Sequence, residues 1–270
     1  MKILRKPLAF LYKDFLTQAS YKFAFVSQIF GIFLSALAWF FLSKLFGRTV
    51  SPHLKSYGGD YFSFVLIGVA LSSYLQVALN SFSTNIRNAQ TLGTLEAMLV
   101  TQTKLPTLVL SSSLYSFLLT SLRVIAYLLI GALVFGLQIG GANYTAALLF
   151  LLLTIICFSS MGIISASFIM VIKKGNPLSW IFVNLSLLIG GVYYPVAILP
   201  DWLEKISYFL PITYSLEGMR MALLQGATLI SLLPTIIPLV IFSTLMLPLS
   251  LGIFKYAVNR AKIEGSLIQY

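Results

Sequence analysis

Tyr61-Phe-Ser-Phe-Val-Leu-Ile-Gly-Val-Ala-Leu-Ser-Ser-Tyr-Leu-Gln-Val-Ala-Leu-Asn-Ser-Phe-Ser-Thr-Asn-Ile86 runs without a charged residue from Asp60 to Arg87. Where no water is present, each backbone N–H and C=O must be satisfied inside the segment, and a helix does this. At 1.5 Å per residue, about 20 apolar residues cross a hydrocarbon core of about 30 Å. The stretch predicts a membrane-spanning helix over 61–86.

Similar runs on either side predict spans over 23–43, 108–138, 143–172, 177–195 and 229–254. Six spans place both termini on one side. The predicted fold class is all-α, a single polytopic transmembrane domain over 1–270. It adds an N-terminal interfacial helix within 1–22 and a re-entrant external hairpin within 196–228, before the last span. In 1–22, Leu8, Leu11, Tyr12, Phe15, Leu16 and Ala19 share one helical face, with Lys13, Asp14 and Thr17 opposite and Phe10 out of pattern.

Composition agrees with a lipid solvent. The 270 residues are 59% hydrophobic and 9% charged, with a mean hydropathy of +0.94, against about 25% charged in a soluble domain. The net charge of +11 does not imply nucleic acid, because the cations punctuate apolar runs instead of gathering on one soluble face. Membrane lipids are the expected surroundings. With the N-terminus cytoplasmic, Lys2, Arg5, Lys6, Lys13, Lys22, Arg87, Lys104, Lys173, Lys174, Lys255, Arg260 and Lys262 lie inside. Lys44, Arg48, Lys55, Lys205 and Arg220 lie outside, which satisfies the positive-inside rule. The basic start lacks a short apolar stretch followed by a cleavage site, so the first span is expected to act as its own insertion signal.

Catalytic chemistry is thin. There is no G-x-x-x-x-G-K-[ST] phosphate loop and no H-E-x-x-H; His53 is the sole histidine and Cys157 the sole cysteine. Seven acids are scattered. The sequence predicts no catalytic residue, no metal site and no cofactor held by this chain.

Ser72, Gln76 and Asn80, with Ser83, fall on one narrow face of the 61–86 helix, and Asn184, Tyr193 and Tyr194 are weaker members of the same group. Such groups either line a translocation path or bond neighbouring helices. Arg123 also has two readings: a buried functional charge, or a residue near the inner interface reaching lipid phosphates, if the span is 117–137 and a cytoplasmic helix runs through Ser111-Ser112-Ser113.

Two stretches carry the most information. Arg87-Asn-Ala-Gln-Thr-Leu-Gly-Thr-Leu-Glu-Ala-Met-Leu-Val-Thr101 holds a short amphipathic pattern with Thr94 as an N-cap and Glu96 in the first turn. The second, Gly190-Gly-Val-Tyr-Tyr-Pro-Val-Ala-Ile-Leu-Pro-Asp-Trp-Leu-Glu-Lys-Ile206, is followed by Leu210-Pro-Ile-Thr-Tyr-Ser-Leu-Glu-Gly-Met-Arg220. Its glycines and prolines break an apolar segment, and broken backbone at membrane depth must be buried in protein or line water.

Both stretches resemble the type-2 ABC exporter permeases. Leu95-Glu96-Ala97-Met98-Leu99-Val100-Thr101 is similar to that family's Leu-Glu-x-(Leu/Met)-Leu-x-Thr loop, which forms a coupling helix. The resemblance implies that 87–105 is a cytoplasmic coupling loop whose Arg87, Thr94, Leu95, Glu96, Ala97 and Met98 face an ATPase. It also implies paired external helices carrying Pro195, Pro200, Asp201, Trp202 and Glu204, then Pro211, Glu217 and Arg220; Trp202, Tyr208 and Tyr214 suit an interfacial belt, with Asp201, Glu204, Glu217 and Arg220 as the polar ends. The implied assembly is two copies of this permease with two ABC ATPase (nucleotide-binding) subunits, which would bind ATP and Mg. The implied function is export of a drug-like molecule, glycan or lipid across the cytoplasmic (inner) membrane. A secondary carrier needs mid-span acids for ion coupling, and none is present, though passive transport stays open. A lipid-processing enzyme would have only Asp201 and Glu204 to work with.

Overall fold

Uncharged runs with no competing water leave the helix as the local solution for the backbone, and Gly136, Gly190 and Gly226 cap the C-terminal ends of three of the helices. The computed structural model describes residues 5–19, 22–50, 53–54, 57–58, 60–100, 105–137, 139, 141–172 and 176–263. No strand occurs among them. Thr101, Lys104, Lys173 and Lys174 lie outside the described residues.

The helices, in chain order, are α1 (Arg5–Ala19), α2 (Lys22–Val50), α3 (Tyr61–Thr91), α4 (Thr94–Val100), α5 (Leu105–Ser112), α6 (Leu114–Phe135), α7 (Tyr144–Ile172), α8 (Pro177–Ile189), α9 (Asp201–Ser207), α10 (Pro211–Gln225) and α11 (Leu233–Ile263). Five described stretches are long and apolar enough to cross a membrane: Phe25–Gly47, Tyr61–Thr91, Pro106–Phe135, Tyr144–Ile172 and Leu233–Ile263. The expected span at 177–195 is instead the 13-residue α8, about 20 Å long and too short to cross alone. It ends at Gly190, and Gly191 follows at φ +81°.

The run 108–138 is not one continuous helix. It breaks at Ser113, between α5 and α6. Asn85 of α3 steadies the break, its Nδ2 donating to Ser112 O at 2.5 Å and Ser113 Oγ at 3.4 Å.

α3 is the central post, enclosed by α2, α6, α7, α8 and α10. Asp60 caps its start by accepting from Ser63 N at 2.9 Å. α7 crosses it so closely that a Cβ at Gly162 would lie 2.1 Å from Ala78 O. Near α8, Ser83, Ser165, Asn176 and Ser179 form one polar knot: Ser83 and Ser165 hydroxyls are 3.0 Å apart, Asn176 Nδ2 donates to Ser83 Oγ at 3.2 Å, and Asn176 Oδ1 caps α8 through Ser179 N. Asn143 caps α7 and donates Nδ2 to Ala227 O, fastening the end of α10.

α1 packs on α5 and α6. Its Leu8, Tyr12, Phe15 and Leu16 are exposed, so the apolar stripe points away from the helices it rests on. Phe10 and Asp14 are half-buried against the junction of α3, α4 and α5, with the exposed Lys13 at its edge.

Candidate functional site

α3 carries three distinct features along its length: a projecting hook at its C-terminal end, a polar groove beside its middle and a backbone clamp near its start.

The hook is α4. Gly93, at φ +67°, turns the chain out of α3, and α4 begins at Thr94 itself. Thr94 is therefore the first helical residue and not the expected cap; its Oγ1 donates back to Ala89 O at 3.4 Å. Leu95 is fully buried beneath the helix and Met98 half-buried, while Thr94, Glu96 and Ala97 are exposed. Glu96 sits in the first turn, where a carboxylate complements the helix dipole. Arg87 is exposed on the last turns of α3, and its carbonyl accepts from Thr91 Oγ1 at 3.0 Å. A buried apolar root under an exposed face that carries Glu96 makes a knob at the end of the 31-residue α3.

The groove has a volume of about 530 Å³. Gln76, Asn80 and Thr84 of α3, Thr120 and Arg123 of α6 and Gln28 of α2 line it. With the Gln28 amide turned so that its oxygen faces Arg123, that oxygen accepts from Nε and Nη2 of the guanidinium. Ser81 Oγ, in the groove wall, is buried without a partner. Arg123 stands about 14 Å along α6 from Leu114 and about 18 Å from Phe135.

The structure divides the residues that shared a helical face on paper. Gln76 and Asn80 open on the groove. Ser72 is buried and donates to Val69 O at 2.8 Å, and Ser83 belongs to the polar knot. Ser83 thus bonds a neighbouring helix, whereas Ser72 bonds its own backbone and does neither of the two things expected of it. Asn184 is exposed on α8, its Nδ2 donating to Trp180 O at 2.7 Å. Tyr193 stacks on Trp39 at 5.1 Å between ring centroids, and the Tyr194 hydroxyl donates to Leu188 O. None of these three lines the groove.

The clamp centres on Arg220 of α10. Its location corrects the sequence reading, which made it a polar end in the external belt: it is 2% exposed. Nη1 donates to Gly191 O at 2.7 Å, Nη2 to Val192 O at 2.9 Å and Nε to Phe64 O at 3.1 Å, with the guanidinium carbon 3.4 Å from the Phe64 ring centroid. The broken backbone after α8 has no helical donors for these carbonyls, and the arginine fork supplies them. Gly68 makes room, since a Cβ there would lie 2.2 Å from Val192 O. Glu217 and Tyr57 flank the clamp; burial raises the Tyr57 phenol above its ordinary value, Glu217 adds to the rise and Arg220 opposes it.

The other residues singled out between 195 and 211 take conventional places. Pro195 precedes a 3-10 turn over Val196–Ile198, Pro200 precedes α9, Asp201 and Glu204 occupy its first turn, and Pro211 opens α10. Trp202 is exposed, and Tyr208 donates its hydroxyl to Glu204 Oε1 at 2.9 Å.

The sequence reading missed Gln28, Ser81 and Asn85. Gln28, an amide in the apolar run 23–43, was the detectable signal.

A search of the curated proteins finds no match. The family model described as ABC-2 type transporter matches residues 9–224, a stretch that holds the hook, the groove and the clamp. The chain belongs to the ABC-2 type transporter family, as an integral membrane subunit.

Proposed function

We propose that this chain is the permease subunit of an ATP-driven exporter of the cytoplasmic (inner) membrane, working as two copies around a shared path with two ABC ATPase subunits that bind ATP and Mg. Both termini are cytoplasmic, α1 lies along the inner lipid interface on its exposed apolar stripe, and α8 with α9 and α10 forms the sixth crossing and an external re-entrant hairpin. The cargo is an amphiphilic or lipid-linked molecule such as a drug, glycan or lipid.

The observation that carries this reading is the continuity of α3. One unbroken helix of 31 residues bears α4 at one end, flanks the groove along its middle and meets the Arg220 clamp near the other. Packed helices respond to a push at one end as rigid bodies, by shear or rotation, so a movement of α4, passed to α3 through the buried Leu95 root, travels to the groove along one helix. ATP-driven closure of the docked motors thereby biases the path between inward-open and outward-open states.

Glu96→Lys tests the docking. Glu96 is exposed, so the variant is expected to insert and fold normally yet to lose its ATPase subunit on co-purification and to stop transport. Retention of the subunit with unchanged transport would refute the role assigned to α4.

A further inference from the structure

We infer that the groove between α2, α3 and α6 binds a phosphate-type anion carried by an amphiphile, with Arg123 as the residue that holds the anionic headgroup. The inference rests on the permease reading and adds the charge class of what that permease accepts.

The first observation is an incomplete set of partners. A guanidinium has five N–H donors. Among the described residues, the only acceptor on Arg123 is the Gln28 amide oxygen, which takes Nε and Nη2. The rest of the fork faces the groove. Arg220 is the internal contrast, with Nε, Nη1 and Nη2 all committed to backbone carbonyls.

The second observation is missing counter-charge. The described acids, Asp14, Asp60, Glu96, Asp201, Glu204 and Glu217, all lie outside the groove lining. A cation this far along a spanning helix is costly to keep without a counter-ion. A bound anion removes that cost, and the guanidinium fork matches the paired oxygens of a phosphate.

Third, the walls suit an anion. Gln76 and Asn80 supply neutral donors, and Ser81 Oγ is buried in the wall without a partner. The groove extends about 22 Å along α3, from Ser73 to Asn88 near the α4 end, so a headgroup entering there has a polar route to Arg123. On neighbouring turns of α2 and α6, Phe25, Ile29, Leu118 and Leu122 are exposed, which lets an acyl tail stay in lipid while its headgroup enters.

The test is equilibrium binding of radiolabelled dioctanoyl phosphatidic acid to the detergent-purified full chain. Unlabelled phosphatidic acid should displace the label, and dioctanoylglycerol, which lacks the phosphate, should not. Arg123→Gln should weaken binding about tenfold or more, Arg123→Lys less, and Asn80→Leu, which keeps the charge, measurably. Inorganic phosphate separates the sources: competition equal to that of phosphatidic acid identifies a soluble anion, and weak competition identifies a lipid headgroup. Wild-type affinity in both Arg123→Gln and Asn80→Leu, or equal binding of the neutral lipid, would overturn the inference. Retention of the ATPase subunit and of transport in Glu96→Lys, with Arg123-dependent binding intact, would sink the motor reading and leave this one standing.

Discussion

Replacing Arg220 by methionine keeps much of the side-chain volume and removes the guanidinium, leaving Gly191 O and Val192 O without donors in a buried break. Phe64 O lies inside α3 and keeps its helical donor, so it contributes least. An orphaned buried acceptor costs about 1–3 kcal/mol, so the two carbonyls of the break together cost about 2–6 kcal/mol. Loss of the contact with the Phe64 ring adds to this, and relief from burying a cation subtracts. At about 2–4 °C per kcal/mol for a chain of this size, the unfolding midpoint in detergent should fall by roughly 5–20 °C. Hydrogen exchange should rise first in 190–199. Arg220→Lys, a point charge without the fork, should fall between the two. A wild-type midpoint with unchanged exchange in 190–199 for Arg220→Met would refute the clamp.

Other substitutions test packing and polar satisfaction in the same thermal assay. Gly162→Ala should lower the midpoint, because its Cβ would meet Ala78 O at 2.1 Å and overpacking costs about 1–3 kcal/mol, whereas Gly252→Ala, inside α11 with nothing within 4 Å, should hold or slightly raise it. Thr154→Val should hold or raise it, by up to about 1–3 kcal/mol of stability, since Thr154 Oγ1 is buried without a partner and valine has nearly the same shape.

Five of the six expected spans and the short helix of the hook were legible in the sequence because their signals are local. An uncharged run such as 61–86 must be helical in lipid, and the amphipathic pattern from Thr94 with Glu96 in its first turn announces a short new helix. The Gly190-Gly191 break was legible as a break, but its remedy was not, because Arg220 lies 28 and 29 residues from Val192 and Gly191 and 156 from Phe64. Nothing in Leu216-Glu217-Gly218-Met219-Arg220 distinguishes a buried clamp from an interfacial turn. The groove was half visible. Gln76 and Asn80 drew notice, but serine polarity misled about direction, since a helical serine can satisfy itself on its own backbone, as Ser72 does on Val69 O. Arg123 could be placed only once Gln28, on another helix, was seen beside it.

The central claim is that α4 is the contact through which a separate motor acts on this chain. A benzophenone photo-crosslinker placed at exposed Ala97 tests it in native membranes, with the same group at exposed Leu245 of α11 as the control. The account predicts an adduct from position 97, and not from 245, with a protein whose sequence contains a G-x-x-x-x-G-K-[ST] phosphate loop. No such adduct from position 97, or equal yields from both positions, would contradict it.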